Sequence, residues 1–139
     1  MELDRALELA ARDRRGILVT LKADGRPQLS NIFYALDGGI FRISVTDGRA
    51  KVANLRRDRR ASLYLPGDDF FHYLVLEGEV ELSATASDPD DEACDELVEL
   101  YREVEGEHDD WAAYRRSMVE DRRLVLRFEA RRAYGLWSD

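Results

Sequence analysis

The sequence predicts a small antiparallel β-barrel with helices attached to it, a mainly β fold of the α+β class. Tight-turn signals separate short segments rich in apolar residues, as they do between hairpin strands; these signals are Asp24-Gly25, Asp37-Gly38-Gly39 and Pro66-Gly67. No alternation of strand, helix and strand indicates a parallel sheet. A chain of 139 residues is long enough to bury a core, and we expect a single domain over residues 1–139.

Four helices and six strands are predicted along the chain, each bounded by a turn signal or by a change of periodicity. The helices cover residues 2–13, 49–57, 88–104 and 110–120, and the strands cover residues 17–21, 28–36, 40–45, 61–65, 73–84 and 123–137. Hairpin connections dominate this order, which favours a barrel over an open parallel sheet.

In the first half of the chain, spacing and turn residues define the elements. Leu3 and Leu7 fall on one helical face, and β-branched residues between tight turns mark the three strands that follow. Pro27 lacks a backbone donor, so we expect it where the second strand begins or on a sheet edge. The short helix over residues 49–57 is expected to have Thr46 or Asp47 as its N-cap.

In the second half, the long strand over residues 73–84 alternates around Leu74 and Leu76. Gly78 interrupts this strand and predicts a β-bulge there. Apolar stripes at helical spacing then define the two helices, with Ser87 or Asp88 expected to cap the first of them. A final strand closes the chain.

Composition excludes several classes of protein. Apolar residues make up 45% and charged residues 36% of the chain, as in a soluble globular protein. No run of about 18 apolar residues exists, so we expect no membrane span. The charged N-terminus has no signal-peptide pattern, and the single cysteine, Cys94, is compatible with a reducing compartment, so we expect a cytoplasmic protein. A net charge of −8 argues against a nucleic-acid partner.

The charge separates along the chain into a basic block and an acidic block. The basic block contains Arg49, Lys51, Arg56, Arg57, Arg59 and Arg60. The acidic block, residues 87–110, carries twelve Asp or Glu residues and one Arg. Such a separation indicates that the basic block has its own task or that it balances the acidic helix.

The front of the basic block has the features of a phosphate site. Gly48 permits a tight turn into the short helix, whose first N–H groups lack partners and favour an anion. Arg49 offers a planar fork of donors and Lys51 adds a mobile positive charge. The alternative is a solvated basic helix, and for the four later arginines surface pairing with the acidic helix is the stronger interpretation.

Polar side chains interrupt the second predicted strand. Gln28 and Ser30 share one face of that strand and Asn31 lies on the other. Amide side chains on a strand can bind the edge of a heterocycle, although ordinary edge-strand polarity is the stronger interpretation from these residues alone.

No metal site or nucleophile motif is predicted. His72 and His108 are far apart, and no Cys or His lies at ligand spacing from either. His108 is expected to be a surface or capping residue and Cys94 a packing residue. His72 and its neighbour Tyr73 are weak candidates for a proton donor near a ligand, with a structural role for His72 as the alternative.

Three separated segments resemble one known family. "LVTLKADGRPQLSNIFYAL", "RAKVANLRRDRRASLYL" and "GEHDDWAAYRRSMVEDRRLVLRF" are similar to the pyridoxamine 5′-phosphate oxidase-like split β-barrel superfamily. Within it, they resemble the actinobacterial branch of enzymes and binding proteins that use the deazaflavin coenzyme F420. The resemblance covers nearly the whole chain.

The resemblance implies a six-stranded split barrel, also called the FMN-binding split barrel, that forms a homodimer with cofactors in grooves at the interface. It implies that Arg49 and Lys51 hold the cofactor phosphate beside Ser44, Gly48 and Ala50. It also implies that Pro27, Gln28, Leu29, Ser30 and Asn31 lie along the tricyclic ring and that Phe71 and Tyr73 reach the cofactor's edge. These assignments follow from the matched motifs.

Two departures from the family pattern stand out. Arg59 replaces a proline of the usual pattern, which restores a backbone N–H and is expected to loosen the turn rather than alter binding. Phe70-Phe71 stands where a Gly-Trp pair is common, which changes the expected substrate mouth. Because the deazaflavin carries an anionic oligoglutamate tail, the four later arginines of the basic block are also candidates for contacts to it.

Three functions are compatible with these observations. The first is an oxidoreductase in which the deazaflavin transfers a hydride to or from a small organic substrate, with His72, Tyr73 or water delivering the proton. The second is a non-catalytic deazaflavin carrier, and the third is an FMN-binding protein of the same fold. Both ligands carry a phosphate on a ribityl chain, so Arg49 and Lys51 do not distinguish them.

Overall fold

The computed structural model describes residues 1–138, which form four α-helices and seven β-strands. The helices are α1 (Leu3–Ala10), α2 (Ala50–Arg57), α3 (Glu92–Glu105) and α4 (Trp111–Glu120). The strands are β1 (Arg15–Leu21), β2 (Pro27–Phe33), β3 (Ala35–Asp37), β4 (Ile40–Thr46), β5 (Arg60–Pro66), β6 (Tyr73–Leu82) and β7 (Arg123–Leu136). Each predicted element is present, with ends that differ by a few residues.

The strands form one antiparallel sheet in the order β2-β1-β5-β6-β7-β4-β3. This sheet curls until β2, at one end, also contacts β4, near the other end. The barrel is therefore open along a seam between β2 and β4, where no ladder of backbone hydrogen bonds joins the strands. The fold confirms the prediction of an antiparallel split barrel with peripheral helices.

The strand count is seven instead of the predicted six because the chain changes partners at Tyr34. The sequence predicts one strand over residues 28–36, but the structure divides it into β2, which pairs with β1, and β3, which pairs with β4. The Tyr34 N–H donates to the Arg14 carbonyl at 2.8 Å, and its hydroxyl donates to the Ala10 carbonyl at 2.6 Å. These tertiary contacts hold the corner, and apolar periodicity does not reveal them.

The inner face of the sheet supplies the core. Leu18, Leu63 and Leu76 lie opposite one another in β1, β5 and β6 and are fully buried. Ala6 and Ala10 bring α1 into the same core. Because opposite residues of an antiparallel pair share a face, this row fixes the register of the barrel wall.

The opposite side of the same strands, here called the outer face, carries a largely apolar row as well as charged residues such as Glu77 and Arg132. One row of it runs across β2, β1, β5, β6 and β7 and consists of Asn31, Ile17, Tyr64, Val75 and Tyr134. Large apolar side chains remain exposed along this face and the adjoining β5–β6 hairpin; they are Leu29, Phe33, Phe70, Phe71, Tyr134 and Leu136. A β-sheet face with so much exposed apolar surface is typical of an interaction surface.

The predicted β-bulge at Gly78 is confirmed. The pairing of β6 with β7 shifts its register between Glu77 and Gly78. A Cβ atom added at Gly78 would collide with the backbone carbonyl oxygen of Glu129. Glycine is therefore required here because another backbone approaches too closely for any side chain.

The predicted cap of α3 was wrong by three or four residues. Asp91 is the N-cap, and its Oδ1 accepts a hydrogen bond of 2.8 Å from the Cys94 N–H. Residues 88–91 form a turn first, closed by a 3.0 Å bond from the Asp91 N–H to the Asp88 carbonyl. Ser87 and Asp88 therefore precede the helix, and a run of candidate caps conceals which one begins it.

The predicted cap of α2 was also wrong. Arg49 is the N-cap, with no side-chain bond to the helix. Asp47 instead accepts a 3.0 Å bond from the Thr85 hydroxyl and forms an ion pair of 3.1 Å with Arg122. The first turn of α2 therefore has no capping side chain over its N–H groups.

Helices α3 and α4 pack on β7 through a second apolar cluster. Cys94 and Leu97 of α3 meet Met118 of α4 and Val125 of β7 there. Burial raises the pKa of Cys94 to about 11, so the thiol stays protonated near neutral pH and packs as predicted. None of the helices formed by residues 1–138 is both long and apolar enough to cross a bilayer.

Candidate functional site

A cavity of about 470 Å³ lies in the barrel seam. Strands β2 and β4 form its floor, α2 closes one end, and α3 and α4 form the opposite wall. Its polar lining includes Asn31 from β2, Ser44 from β4 and Lys51 from α2. We call this space the seam cavity.

The local sequence explains why Ser44 and Lys51 meet. Strand β4 ends at Thr46, and Gly48 turns the chain with a φ of 92°, a value in the left-handed region that favours glycine. Helix α2 then begins at Ala50 and presents its uncapped first turn. The predicted arrangement of strand end, glycine turn and helix start is therefore present.

Electrostatics at Lys51 are unfavourable without a ligand. Burial lowers the pKa of Lys51, and the nearby positive charges of Arg49 and Arg123 lower it further. Within residues 1–138, none of these three side chains has a carboxylate partner in an ion pair. An anion between them would relieve both the repulsion and the desolvation.

Arg123 is a site residue that sequence reasoning missed. It is the first residue of β7, and its pairing with Thr46 brings it beside the end of β4. Its Nε atom is buried and has no hydrogen-bond partner among residues 1–138. A buried, unpaired donor is costly, and a phosphate oxygen would satisfy it. The sequence gives no local signal for this role, because it depends on the register between β4 and β7.

Residues 56–60 of the basic block have structural partners instead. Arg56 pairs with Asp47 at 3.6 Å and Arg60 pairs with Asp58 at 2.8 Å. Arg57 donates to the Leu21 carbonyl at 2.7 Å, and Arg59 donates to the Val80 carbonyl at 3.0 Å. The expected pairing of these arginines with the acidic helix is absent from the described part of the chain.

The acidic helix has its own arginine partners from elsewhere. Glu96 of α3 accepts bonds from Arg42 and Arg127, and Asp95 pairs with Arg115 at 2.9 Å. Partial burial raises the pKa of Glu96, but the two arginines outweigh that effect and hold it below its usual value. These contacts dock α3 on the sheet, so the acidic helix does not need the basic block as a counterweight.

The polar strand adopts the predicted alternation. Gln28 and Ser30 point towards the interior and are partly buried, whereas Leu29 and Asn31 are exposed. Of the stretch from Pro27 to Asn31, Asn31 lines the seam cavity. Pro27 is the first residue of β2, on the sheet edge, as its missing N–H predicts.

The other predicted site residues lie on the β5–β6 hairpin, outside the seam cavity. His72 pairs with Asp69 at 2.6 Å, and its Nε2 lies 3.3 Å from the Ser138 hydroxyl. Phe71 is 73% exposed, and Tyr73 stacks on Tyr64. Strand β1 lies between this hairpin and β2, and none of these residues lines the seam cavity of its own chain.

Aromatic side chains form the helical wall of the seam cavity. Tyr101 and Tyr114 line it, and His108 and Trp111 pack against both of them. The Tyr114 hydroxyl donates to the Leu97 carbonyl at 3.2 Å, and burial raises its pKa to about 12. The predicted apolar stripes contain these tyrosines but do not indicate that they face a cavity.

An antiparallel barrel that is split along one seam, with helices over the opening, defines the class of split-barrel proteins. Within that class, the chain belongs to the pyridoxamine 5′-phosphate oxidase family, whose sequence model matches residues 3–137. The match extends over nearly the whole chain, as the resemblance of the three separated motifs predicted.

Solved structures agree on the fold. An F420 reductase is 22% identical with a TM-score of 0.68, over 91% of this chain and 94% of that one. A conserved hypothetical protein from Mycobacterium tuberculosis is 24% identical with a TM-score of 0.72, over 97% and 84%. A heme-binding protein from Mycobacterium smegmatis is 24% identical with a TM-score of 0.68, over 96% of this chain but 53% of that one. At these identities the similarity establishes the fold alone.

Proposed function

We propose that this protein is an oxidoreductase that binds the deazaflavin coenzyme F420 and uses it for hydride transfer with a small organic substrate. One observation carries the proposal: Lys51 and Arg123 line the seam cavity, Arg49 lies close enough to lower the pKa of Lys51, and within residues 1–138 none of the three is ion-paired with a carboxylate. These positive charges repel one another, and a phosphate group bound among them would offset that repulsion.

The residues that would hold the phosphate come from three elements. Lys51 would contact it from α2, Arg123 from the first residue of β7, and Arg49 from the start of α2. The uncapped N–H groups of the first turn of α2, reached through Gly48 and Ala50, would add hydrogen bonds. The hydroxyl of Ser44 lines the same cavity and would contribute one more.

The ring of the cofactor would lie along β2, beside Leu29 and Asn31, where the outer face is apolar and exposed. When bound, this ring supplies the hydride-transfer chemistry, a two-electron change. The protein's own part is to orient the ring and to exclude water from one side of it. Because His72 and Tyr73 lie outside the seam cavity of their own chain, we assign the accompanying proton to solvent water.

A homodimer would complete this site. Phe71 and Tyr73 do not reach the seam cavity of their own chain, but a second copy packed on the outer face would bring its hairpin beside β2. The exposed apolar residues of the outer face support such an interface, since their burial would be favourable.

The proposed cofactor is tested by titrating the purified protein with the deazaflavin and with FMN, followed by fluorescence. We expect the deazaflavin to bind more tightly. A protein that retains FMN when the deazaflavin is added would instead be an FMN-binding member of the family. Heme belongs in the same titration, because one similar structure is that of a heme-binding protein.

Catalysis is tested separately from binding. Reduced deazaflavin is mixed with a panel of enones, nitroaromatics and tetrapyrroles, and its oxidation is followed over many turnovers. A saturable rate with at least one substrate supports the oxidoreductase. Tight binding with no turnover would favour the carrier, an alternative that is supported by the position of His72 outside the seam cavity.

A further inference from the structure

A second cavity of about 530 Å³ adjoins the seam cavity. It is lined by Arg12, Arg14 and Arg15 on one side and by Val104 and other residues on the opposite side. Both cavities are bordered by the same three residues, Phe33, Val104 and Glu105, so they lie side by side, and we refer to the two together as the groove. We call the second space the arginine cavity.

Positive charge in the arginine cavity is only partly compensated by the protein. The Arg14 Nη1 donates to the Val104 carbonyl at 2.9 Å, which fixes that side chain. Asp13 also lines the cavity, but its Oδ1 accepts the backbone N–H groups of Arg14 at 2.7 Å and Arg15 at 3.3 Å. Glu105 is the other carboxylate, and it is exposed at the junction of the two cavities.

Unpaired arginines are concentrated along this groove. Most arginine side chains of residues 1–138 have an ion-pair or hydrogen-bond partner; those without one are Arg12, Arg15, Arg49, Arg116 and Arg123. Arg12 and Arg15 line the arginine cavity, Arg123 lines the seam cavity and Arg49 acts on Lys51 there. The protein as a whole carries a net charge of −8. An extended anion would therefore meet unpaired guanidinium groups mainly along this groove.

We propose that the arginine cavity binds carboxylates of the ligand whose phosphate lies in the seam cavity, and that it thereby selects a ligand with an acidic extension beyond the phosphate. The planar guanidinium groups of Arg12 and Arg15 match carboxylate geometry and are free to bind it. Arg56, Arg57, Arg59 and Arg60, the earlier candidates for this contact, are engaged elsewhere. The inference rests on the proposed function.

The test compares two forms of the deazaflavin cofactor, one with several glutamates and one with none beyond the phospholactyl group. Dissociation constants are measured by fluorescence titration for the native protein and for the double variant Arg12→Ala/Arg15→Ala. We expect the native protein to bind the glutamate-bearing form about tenfold more tightly, because two charge-assisted contacts are involved and both are partly screened by solvent. The double variant should lose most of that preference while it binds the glutamate-free form unchanged.

Arg116→Ala is the matched control. Arg116 is an exposed arginine of α4 that has no partner and lines neither cavity, so its loss should leave the preference intact. Equal affinity of the native protein for both forms would overturn the arginine-cavity inference alone. The same conclusion would follow if the double variant lost affinity for both forms to the same extent. Failure of the native protein to bind either form would overturn the proposed function and this inference with it.

Discussion

Lys51 is the residue where the proposed site is easiest to test. Replacing it by alanine removes one charge-assisted contact to the phosphate, so Lys51→Ala should weaken cofactor binding by about 1–3 kcal/mol. Titration of the folded variant gives this value directly. Lys22→Ala is the control, because Lys22 is exposed at the β1–β2 turn and lines neither cavity. Unchanged affinity in Lys51→Ala would place the phosphate elsewhere.

Arg123 should show opposite effects on stability and on binding. Arg123→Met keeps much of the side-chain volume but removes the buried, unpaired Nε and the repulsion of Lys51. We therefore expect the cofactor-free variant to be at least as stable as the native protein in urea, since burying an unpaired donor costs about 1–3 kcal/mol. Its affinity for the cofactor should fall.

Arg122→Met provides the comparison for Arg123. Arg122 is exposed and engages Asp47, away from the lining of the seam cavity, so its replacement should leave cofactor affinity nearly unchanged. A clear loss of stability in cofactor-free Arg123→Met would contradict the view that Arg123 is kept for a ligand.

Helix α2 is fixed to the barrel by a buried polar contact. Asn54 donates to the Thr20 hydroxyl at 3.1 Å, and both residues are almost fully buried. Asn54→Ala leaves that hydroxyl without its partner, so we expect a loss of about 1–3 kcal/mol in the free energy of unfolding. Cofactor affinity should fall as well, because the same helix presents Lys51.

A double-mutant cycle isolates this contact. Thr20→Val removes the partner of the Asn54 amide, and the double variant Thr20→Val/Asn54→Ala removes both groups. Urea unfolding should show that the double variant loses less stability than the two single losses added together. Strict additivity would mean that the hydrogen bond does not couple α2 to β1.

The cap of α3 predicts a specific response to acid. Partial burial raises the pKa of Asp91, but backbone N–H donors from Ser87, Cys94 and Asp88 outweigh it and lower the pKa to about 2. A carboxyl group whose pKa is lower in the folded state than in the unfolded state stabilises the fold at pH values above the unfolded pKa, which is about 3.9 for Asp. That contribution is lost as the pH falls from about 4 towards 2.

Urea unfolding between pH 6 and pH 2 tests this cap. Asp91→Asn should be less stable than the native protein at pH 6, and the difference should shrink as the pH falls through the stated window. Asp90→Asn serves as the control, since Asp90 is exposed and its side chain accepts no hydrogen bond within the described residues. Parallel stability curves for native protein and Asp91→Asn would contradict the assignment.

Local sequence signals predicted where the helices and strands lie better than they predicted which elements contact one another. The turns at Gly25 and Gly38 follow from local backbone requirements, and those predictions are confirmed. The bulge at Gly78 was also predicted from a local signal, although the Glu129 backbone is what requires glycine there. The division of one predicted strand at Tyr34 was missed because its cause is a contact with Ala10, across 24 positions of the chain. The same limit explains Arg123, whose place beside Lys51 depends on the pairing of β4 with β7.

At the scale of the whole molecule, negative charge is concentrated on α3, whereas unpaired positive charge lies along the groove. Acidic α3 is docked by Arg42 and Arg127, which come from the sheet, so its negative charge is used in packing. The groove beside it keeps Arg12, Arg15 and Arg123 without a partner among the described residues. An acidic surface around a basic groove would repel polyanions everywhere except at the groove, which favours selective binding over general affinity.

A substitution on the outer face can test whether the protein forms a dimer. Tyr134 lies near the C-terminal end of β7 on this face and is 48% exposed, outside the core cluster. Tyr134→Glu would place a charge in the proposed interface, where desolvation is unfavourable, while leaving the core unchanged. We therefore expect a folded monomer by sedimentation analysis, with weakened cofactor binding because the second copy's hairpin is lost.

Ala112→Glu is the matched control for Tyr134→Glu, because it adds the same charge at an exposed position of α4. This control should sediment as the native protein does and bind the cofactor normally. If native protein is already monomeric at micromolar concentration and still binds the cofactor tightly, then one chain holds a complete site. The apolar outer face would in that case require a different partner, and Phe71 and Tyr73 would have no role in cofactor binding.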